Sequence, residues 1–525
     1  MARCYEALRR AARVKEPGEY ALAVPVVVLA VAPATTTTTW LFLPLESCLP
    51  TVTSVATFGS FRDTRLFERT PVAAGVGRLF ATMVRVAWFA DGEMVCQDAW
   101  QEERGDRQRS VRQRAGLCCY TPTRADVGKT LTTVITPLRP GRAGRAEAYQ
   151  FQRKVEALPD LPLMESRAEF LAPRSRDDGA PLLRVATYNI LADQNASRDA
   201  DRGDDDQIYA HCDAAHLVKW RRHPLIVHEL LAYAPDVVAL QEVDADVYAD
   251  LLRPTLGAEG YEGYYARKGA EEGGNGGGGG GGGGGIREGC ALFWRRDVFE
   301  GVRPADRKTH NYRDMMRQFA CPARRHRAQW PSLDDSAKLL AAHRPLRRVV
   351  LDKLGHVLQT VALTRRDTGE RLVVGNSHLF YHPRASHVRC LQALAAARQL
   401  EIEQIEHGHC PVLFCGDFNS HPTSGVLRLL LGRRVAAGNG KTWSNLRTYA
   451  WEAGRDDDDA AAAAGADGDG GDGDGDVDPA AGAPAAIDLA LPPSCPDLAS
   501  AYPDPPAFTH FIEAFVCTLD YILVS

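Results

Sequence analysis

"PVLFCGDFNS", residues 411–420, sets the class of fold. Val412 to Cys415 are apolar without interruption, and a short unbroken apolar run bounded by Gly and polar residues reads as a strand buried on both faces. Asp417 and Asn419 close the run. Side chains at the end of such a strand emerge from the core, where α/β sheets bind ligands.

The pattern recurs on either side of this stretch. Residues 182–191, "LLRVATYNIL", read as a strand ending near Asn189, and 236–243, "DVVALQEV", as a strand ending near Glu242. Residues 371–379, "RLVVGNSHL", carry Asn376 and His378. Between these strands lie helical patterns. "HPLIVHELLAYAP" begins a helix with Pro224 near its first turn, where the missing N–H costs little. In residues 387–407, Val388, Leu391, Leu394, Ala395, Ile402 and Ile405 form one apolar stripe. Strands alternating with helices over residues 180–525 predict an α/β layered domain. Its last strand, "LDYIL" (519–523), sets Asp520 among apolar neighbours, and a buried ionised carboxylate requires a metal, a cation or a histidine beside it.

The remainder of the chain is organised differently. At 525 residues it exceeds one ordinary core, so two domains are expected. Residues 51–160 alternate in short strands, with a turn at Asp91-Gly92 and a strand-end Tyr120 followed by an Asp126-x-Gly128 turn, which predicts a small immunoglobulin-like β-sandwich. Residues 1–50 read as a candidate targeting leader or a misread start of the chain; their apolar run at 21–34 is too short to span a bilayer, and no membrane partner is expected. Two inserts, 270–287 and 454–486, interrupt the α/β pattern as surface loops. The glycine run 276–285 has no strand leading into it, which excludes a dinucleotide loop. Asp472, Asp474 and Asp476 imitate a calcium loop, but Ala483 stands where its bidentate Glu must be.

Net charge of −5 conceals a basic remainder, because ten Asp lie between 456 and 478 and the rest of the chain carries +5. Arg clusters at 104–114 and 324–327 suit phosphates, although solvated surface is the commoner role of such runs. Thirteen cysteines without a C-x-x-C pair predict reduced thiols in an intracellular compartment. Pro383 argues against His378, His382 and His387 as a zinc site on one helix.

The strand-end residues share a chemistry. Magnesium keeps several waters and takes one or two protein carboxylates, which suits Glu242 with Asn189 nearby. Asp417 can position or deprotonate a water, Asn419 can hydrogen-bond a phosphate, and His378 can stabilise charge in the transition state. Together they predict phosphodiester cleavage.

"TYNILAD", "LQEVD", "NSHLFYHP", "CGDFNSHPTSG" and "LDYI", in that order, resemble the endonuclease/exonuclease/phosphatase superfamily and within it the deadenylase-like branch. The upstream "VAWFADGE" and "YTPTRADVGKTL" look like the amino-terminal domain of a member of that branch that cleaves 2′,5′-linked oligoadenylate. The resemblance implies a four-layer αββα sandwich of the deoxyribonuclease I type, and a magnesium-dependent 3′ exoribonuclease, with manganese as the alternative ion. It implies poly(A) RNA 3′ ends and 2′,5′-oligoadenylate as substrates, and the mitochondrial matrix as location, with the cytoplasm as alternative. By the same resemblance Asp417, Asn419, His378 and Asp520 are catalytic, Glu242 and Asn189 hold the metal, and Phe515 and Asn376 contact substrate. In that family the Asp of the "LDYI" strand orients a histidine from a later "SDH" strand. The sequence stops five residues after Asp520, so the resemblance implies a sandwich missing its last strand, an open sheet edge and impaired turnover. Two other readings stay open: a phosphoesterase of the superfamily acting on inositol phosphates, sphingomyelin or abasic DNA, and a catalytically inactive RNA-binding homologue. The oligomeric state is not legible.

Overall fold

The computed structural model describes strand segments at 21–28, 37–44, 51–58, 66–67 and 72–79, then residues 83–101, 117–158, 182–200, 212–269, 288–320, 330–446, 486–502, 506–512 and 515–525, with a few isolated positions besides. Most of the glycine and acidic inserts and both Arg clusters fall outside the described residues. The chain divides into two compact units, Met1–Leu158 and Pro159–Ser525.

In the first unit Ala21–Val28, within the apolar run at 21–34, pairs antiparallel with Thr37–Pro44. Strands β1 (Thr51–Phe58), β2 (Val72–Leu79) and β5 (Leu117–Tyr120) form one antiparallel sheet. A second sheet contains β3 (Met83–Ala90), β4 (Glu93–Gln101), β6 (Thr130–Arg139) and β7 (Glu147–Glu156), in the order Leu66–Phe67, β7, β6, β3, β4. Asp91 and Gly92 join β3 to β4 with φ of 48° and 87°, the left-handed pair that a two-residue hairpin turn requires. Every second residue of β3 and β6 is buried. Val84, Val86, Trp88, Leu131 and Ile135 therefore meet Phe151, Val155 and Val72 in one core.

The second unit is built on two packed sheets. One holds β8 (Val185–Asn189), β9 (Val237–Asp244), β10 (Tyr261–Arg267) and β11 (Glu288–Arg295), ordered β8-β9-β11-β10. The other holds β12 (Arg307–Asn311), β13 (Val357–Thr364), β14 (Arg371–His378), β15 (Val412–Asp417), β16 (Ala499–Ser500) and β19 (Asp520–Val524), ordered β12-β13-β14-β15-β19-β16. The hairpin β17 (His510–Ile512) and β18 (Phe515–Cys517) leads into β19. The outer side of β19 is not bare: Val524 and Leu523 pair with Ala499 and Ser500.

The unbroken apolar run of β15 is explained by its two neighbours. Leu413 and Cys415 pack between the sheets with Val237, Ala239, Trp294, Val374 and Ile522. Phe414 and Val412, on the opposite face, pack with Leu391, Leu394 and Leu400 of the long helix α5. The longer helices among the described residues are α1 (Asp193–Ala200), α2 (Lys219–Tyr233), α3 (Tyr312–Ala320), α4 (Pro331–Ala342), α5 (Ser386–Glu406) and α6 (Gly425–Gly432). Helices α3 to α6 cover the six-stranded sheet. Helix α2 is held to the outer face of the other sheet, where the Tyr188 hydroxyl donates to Glu229 at 3.2 Å. The result is the four-layer αββα sandwich, with each buried Phe or Leu of the two apolar layers contributing about 1.5–3 kcal/mol.

Two helix expectations need correction. Helix α2 begins at Lys219, so Pro224 lies inside it rather than in its first turn. In α5 the apolar stripe fades at its carboxyl end: Ile402 is half-buried and Ile405 exposed. Glu401 and Glu403 are buried there instead, paired with Arg398 and with Lys308 and His310.

Candidate active site

Strand register brings the polar residues together. His378 pairs with Asp417 across β14 and β15, and Asp417 with Asp520 across β15 and β19. Because β19 runs antiparallel, its first residue lies at the same sheet edge as the last residues of β14 and β15. Asn189 and Glu242 reach this edge from the other sheet. The Asn189 amide donates to Glu242 Oε1 at 2.8 Å and to Asp417 Oδ2 at 3.0 Å, bridging the sheets between two carboxylates.

Three non-glycine residues at these strand ends adopt left-handed backbone: Leu191 (φ 56°), Glu242 (φ 52°) and Asn419 (φ 46°). Such conformations cost about 1–3 kcal/mol each and collect at functional sites. At Glu242 the strain comes with a break in the β9–β11 ladder between Leu240 and Val243. Gln241 then points between the sheets and Glu242 into the site. Glu242 Oε2 accepts from Ala192 N at 3.1 Å and from the Asn195 amide at 2.6 Å, both at the start of α1, where helix N–H groups favour an anion. Asn419 uses its strained backbone to donate its N–H to Asp417 Oδ1 at 2.8 Å, while its side-chain amide donates to Leu379 O.

The carboxylates repel one another. Burial, with the charge of Glu242 behind it, pushes Asp417 up to about 6 against hydrogen bonds from Asn189 and Asn419. Asp520 is raised well above its ordinary value, first by burial and then by Asp417. Its Oδ1 is buried and finds no hydrogen-bond partner among the described residues. His510 does not supply one: its ring packs against Phe515, with 5.7 Å between ring centres. His378 Nε2 stands 3.9 Å from Asp417 Oδ2.

Phe515 is half-buried on the inward face of the β17–β18 hairpin. Asn376 does not face the site. It is fully buried, donates to Leu240 O at 3.0 Å and Ala291 O at 3.2 Å, and accepts from Gln241 at 2.8 Å, so it stitches the sheets together. Asn376 shares a face of β14 with His378 but lies two residues deeper between the sheets, and the contact to substrate expected of it is replaced by this internal role.

Sequence reasoning passed over Asn195, Lys268 and Glu288. Glu288 carried a readable signal, a single carboxylate heading the apolar run "EGCALFW", the same signal that marked Asp520.

Carboxylates and a histidine gathered at one edge of an αββα sandwich define a class of phosphoesterase folds. Residues 186–525 match the sequence profile of the Endonuclease/Exonuclease/phosphatase family, and the chain belongs to it. Among its relatives, 2′,5′-phosphodiesterase 12 of Bos taurus is 29% identical over 323 residues, 60% of this chain and 46% of that protein. The Homo sapiens protein of the same name is 28% identical over 322 residues, with the same shares covered. The chain thus spans about half the length of the curated relatives it matches. The crystal structure of ANGEL2, a 2′,3′-cyclic phosphatase, superposes with a TM-score of 0.42 at 19% identity, covering 65% of this chain and 82% of that one.

Proposed function

We propose that the chain is a magnesium-dependent phosphodiesterase that removes nucleotides from RNA 3′ ends, with poly(A) and 2′,5′-linked oligoadenylate as substrates. The observation carrying this reading is the meeting of Asn189, Glu242, His378, Asp417 and Asp520, from five strands, at one edge of the two sheets. The names of the bovine and human relatives support the 2′,5′ linkage.

The donor set fits a hard divalent cation. Its groups are carboxylate oxygens and the Asn189 amide oxygen, which accepts from Leu191 N at 3.0 Å; Asp417 and Asp520 are raised first by burial and then by a neighbouring carboxylate, and Asp520 Oδ1 stands unpartnered among the described residues. Among the described residues no three His, Cys, Asp or Glu side chains are grouped to enclose an ion by themselves. Glu242 and Asn189 would hold it. When bound, such an ion offsets phosphate charge and makes a nucleophile available near neutral pH.

The chain's own groups do the rest. Asp417, raised toward neutrality, is placed to accept a proton from an attacking water. His378, buried beside it, stabilises charge on the phosphate oxygens. Asn419 keeps Asp417 oriented through its backbone N–H. Phe515 offers a face for a terminal base, a contact worth about 1–3 kcal/mol.

The test is hydrolysis of 3′,5′- and 2′,5′-linked oligoadenylates with magnesium and with EDTA. Stepwise release of mononucleotides that needs magnesium and vanishes in Glu242→Ala supports the reading. Tight RNA binding without product in any metal would make the chain an RNA-binding homologue, and turnover confined to inositol phosphates or lipids would move it to another branch.

A further inference from the structure

Behind His378, on the side away from Asp417, lies a charged group that the chemistry above leaves unused. Lys268 follows β10 and Glu288 opens β11. Their side chains are 5% and 8% exposed, and Lys268 Nζ lies 2.6 Å from Glu288 Oε1. The same Nζ stands 3.0 Å from His378 Nδ1. The backbone is fastened at this point too. Lys268 N donates to Glu288 O at 3.1 Å, and a Cβ on the adjacent Gly289 would fall 2.2 Å from Ala266 O and 2.8 Å from Arg267 Cα. Strands β10 and β11 are pressed together where the pair sits, so neither side chain has latitude to drift.

An ammonium group has three hydrogens and no lone pair, so the imidazole nitrogen facing it must accept. A neutral ring that accepts at Nδ1 carries its hydrogen on Nε2, the atom directed at Asp417 and the proposed phosphate position. Burial and then the ammonium charge hold His378 well below its ordinary pKa, and the neighbouring His356, 6.3 Å away between ring centres, is lowered by the same causes. Burial is opposed by Glu288, which keeps Lys268 raised and charged.

We propose that Lys268, anchored by Glu288, is a positioning residue that fixes His378 in its Nε2–H tautomer, making the ring a hydrogen-bond donor to the phosphate and not a proton acceptor. The catalytic half of this statement rests on the function proposed above; the tautomer does not.

The deciding experiment uses the full chain labelled with ¹⁵N at histidine, with His378→Gln to assign the ring signals. In the free protein between pH 6 and 8 the expected spectrum has Nδ1 unprotonated and Nε2 protonated. Lys268→Met/Glu288→Gln removes both charges without stranding a buried carboxylate. Its His378 signals are expected to shift toward a mixture of tautomers, with kcat about 10–100-fold lower and KM little changed. In a His378→Gln background the pair of substitutions should cost nothing further. A hydrogen on Nδ1 in the unsubstituted protein overturns the proposal even if the double variant fails to fold. So does an unaltered ring spectrum in the folded variant, or a full second loss in the His378→Gln background. Absence of phosphodiesterase activity with the expected tautomer would count against the proposed function alone.

Discussion

Asp126 in the first unit and Asp417 in the second are both nearly excluded from water, at 2% and 6% exposure, and they are put to opposite ends. Burial pushes each upward. At Asp126 it is outweighed by donors: the Tyr120 hydroxyl at 2.6 Å and the Thr123 N–H and hydroxyl at 2.8 Å all point to Oδ2, and the carboxyl is lowered. At Asp417 burial and the Glu242 carboxylate outweigh two donors, and the group rises to about 6. A buried aspartate supplied only with hydrogen is structural, and one supplied with negative neighbours is held ready for a cation or a proton.

Substitutions at the two positions should break this comparison in opposite directions. Asp417→Asn is expected to lower the rate of oligoadenylate hydrolysis about 10²–10⁴-fold, the usual worth of a positioned acid–base group; initial rates at saturating magnesium check it. Asp126→Ala should leave that rate unchanged and destabilise the first unit by about 2–4 kcal/mol, because it strands the Tyr120 and Thr123 donors. Calorimetry of the full chain would show it as an earlier unfolding transition.

A smaller effect concerns stability at the site. Asp417 has a folded-state pKa above its unfolded value of 3.8, so the protein takes up a proton on folding and loses stability as pH rises from about 4 to about 6. In EDTA at pH 7, Asp417→Asn should therefore be more stable than the unsubstituted protein by about 1–3 kcal/mol, with the difference closing near pH 4. A variant that is less stable at pH 7 would show that the lost hydrogen bonds outweigh the relieved repulsion. Smallest is Asn195→Ala, which removes one of the two donors that orient Glu242 Oε2. Magnesium affinity measured by calorimetry should fall about 10-fold, with rate recovered at high magnesium.

Much of this was legible in the sequence, for a physical reason. The strands of the sandwich are short apolar runs that end in a polar residue, and both features are local, so β8, β9, β14 and β15 and their terminal Asn189, Glu242, His378 and Asp417 could be placed from composition along the chain. What escaped depends on register. Lys268 reads as a surface charge beside a glycine-rich insert until β10 is paired with β11, and only that pairing sets it against Glu288 and His378. Asn195 sits in a polar helix with no apolar stripe to orient it, and its role follows from the left-handed turn at Glu242. Asn376 misled because proximity to His378 in sequence implied proximity in function, whereas two residues back along the same face of the strand it is already inside the sandwich. Pro224 was misplaced because the helix begins more than a turn earlier, at Lys219, than the proline signal alone sets it.

Gly416 lies against Ser377 so closely that a methyl group in place of its hydrogen would fall 1.9 Å from a carbonyl oxygen, main chain against main chain. The separation of His378 from Asp417, one residue further along on each strand, is therefore inherited from the polypeptide itself and not from the fit of surrounding hydrocarbon. For anyone redesigning the molecule, the apolar layers are open to wholesale exchange of like volumes, while this one crossing admits no side chain of any kind.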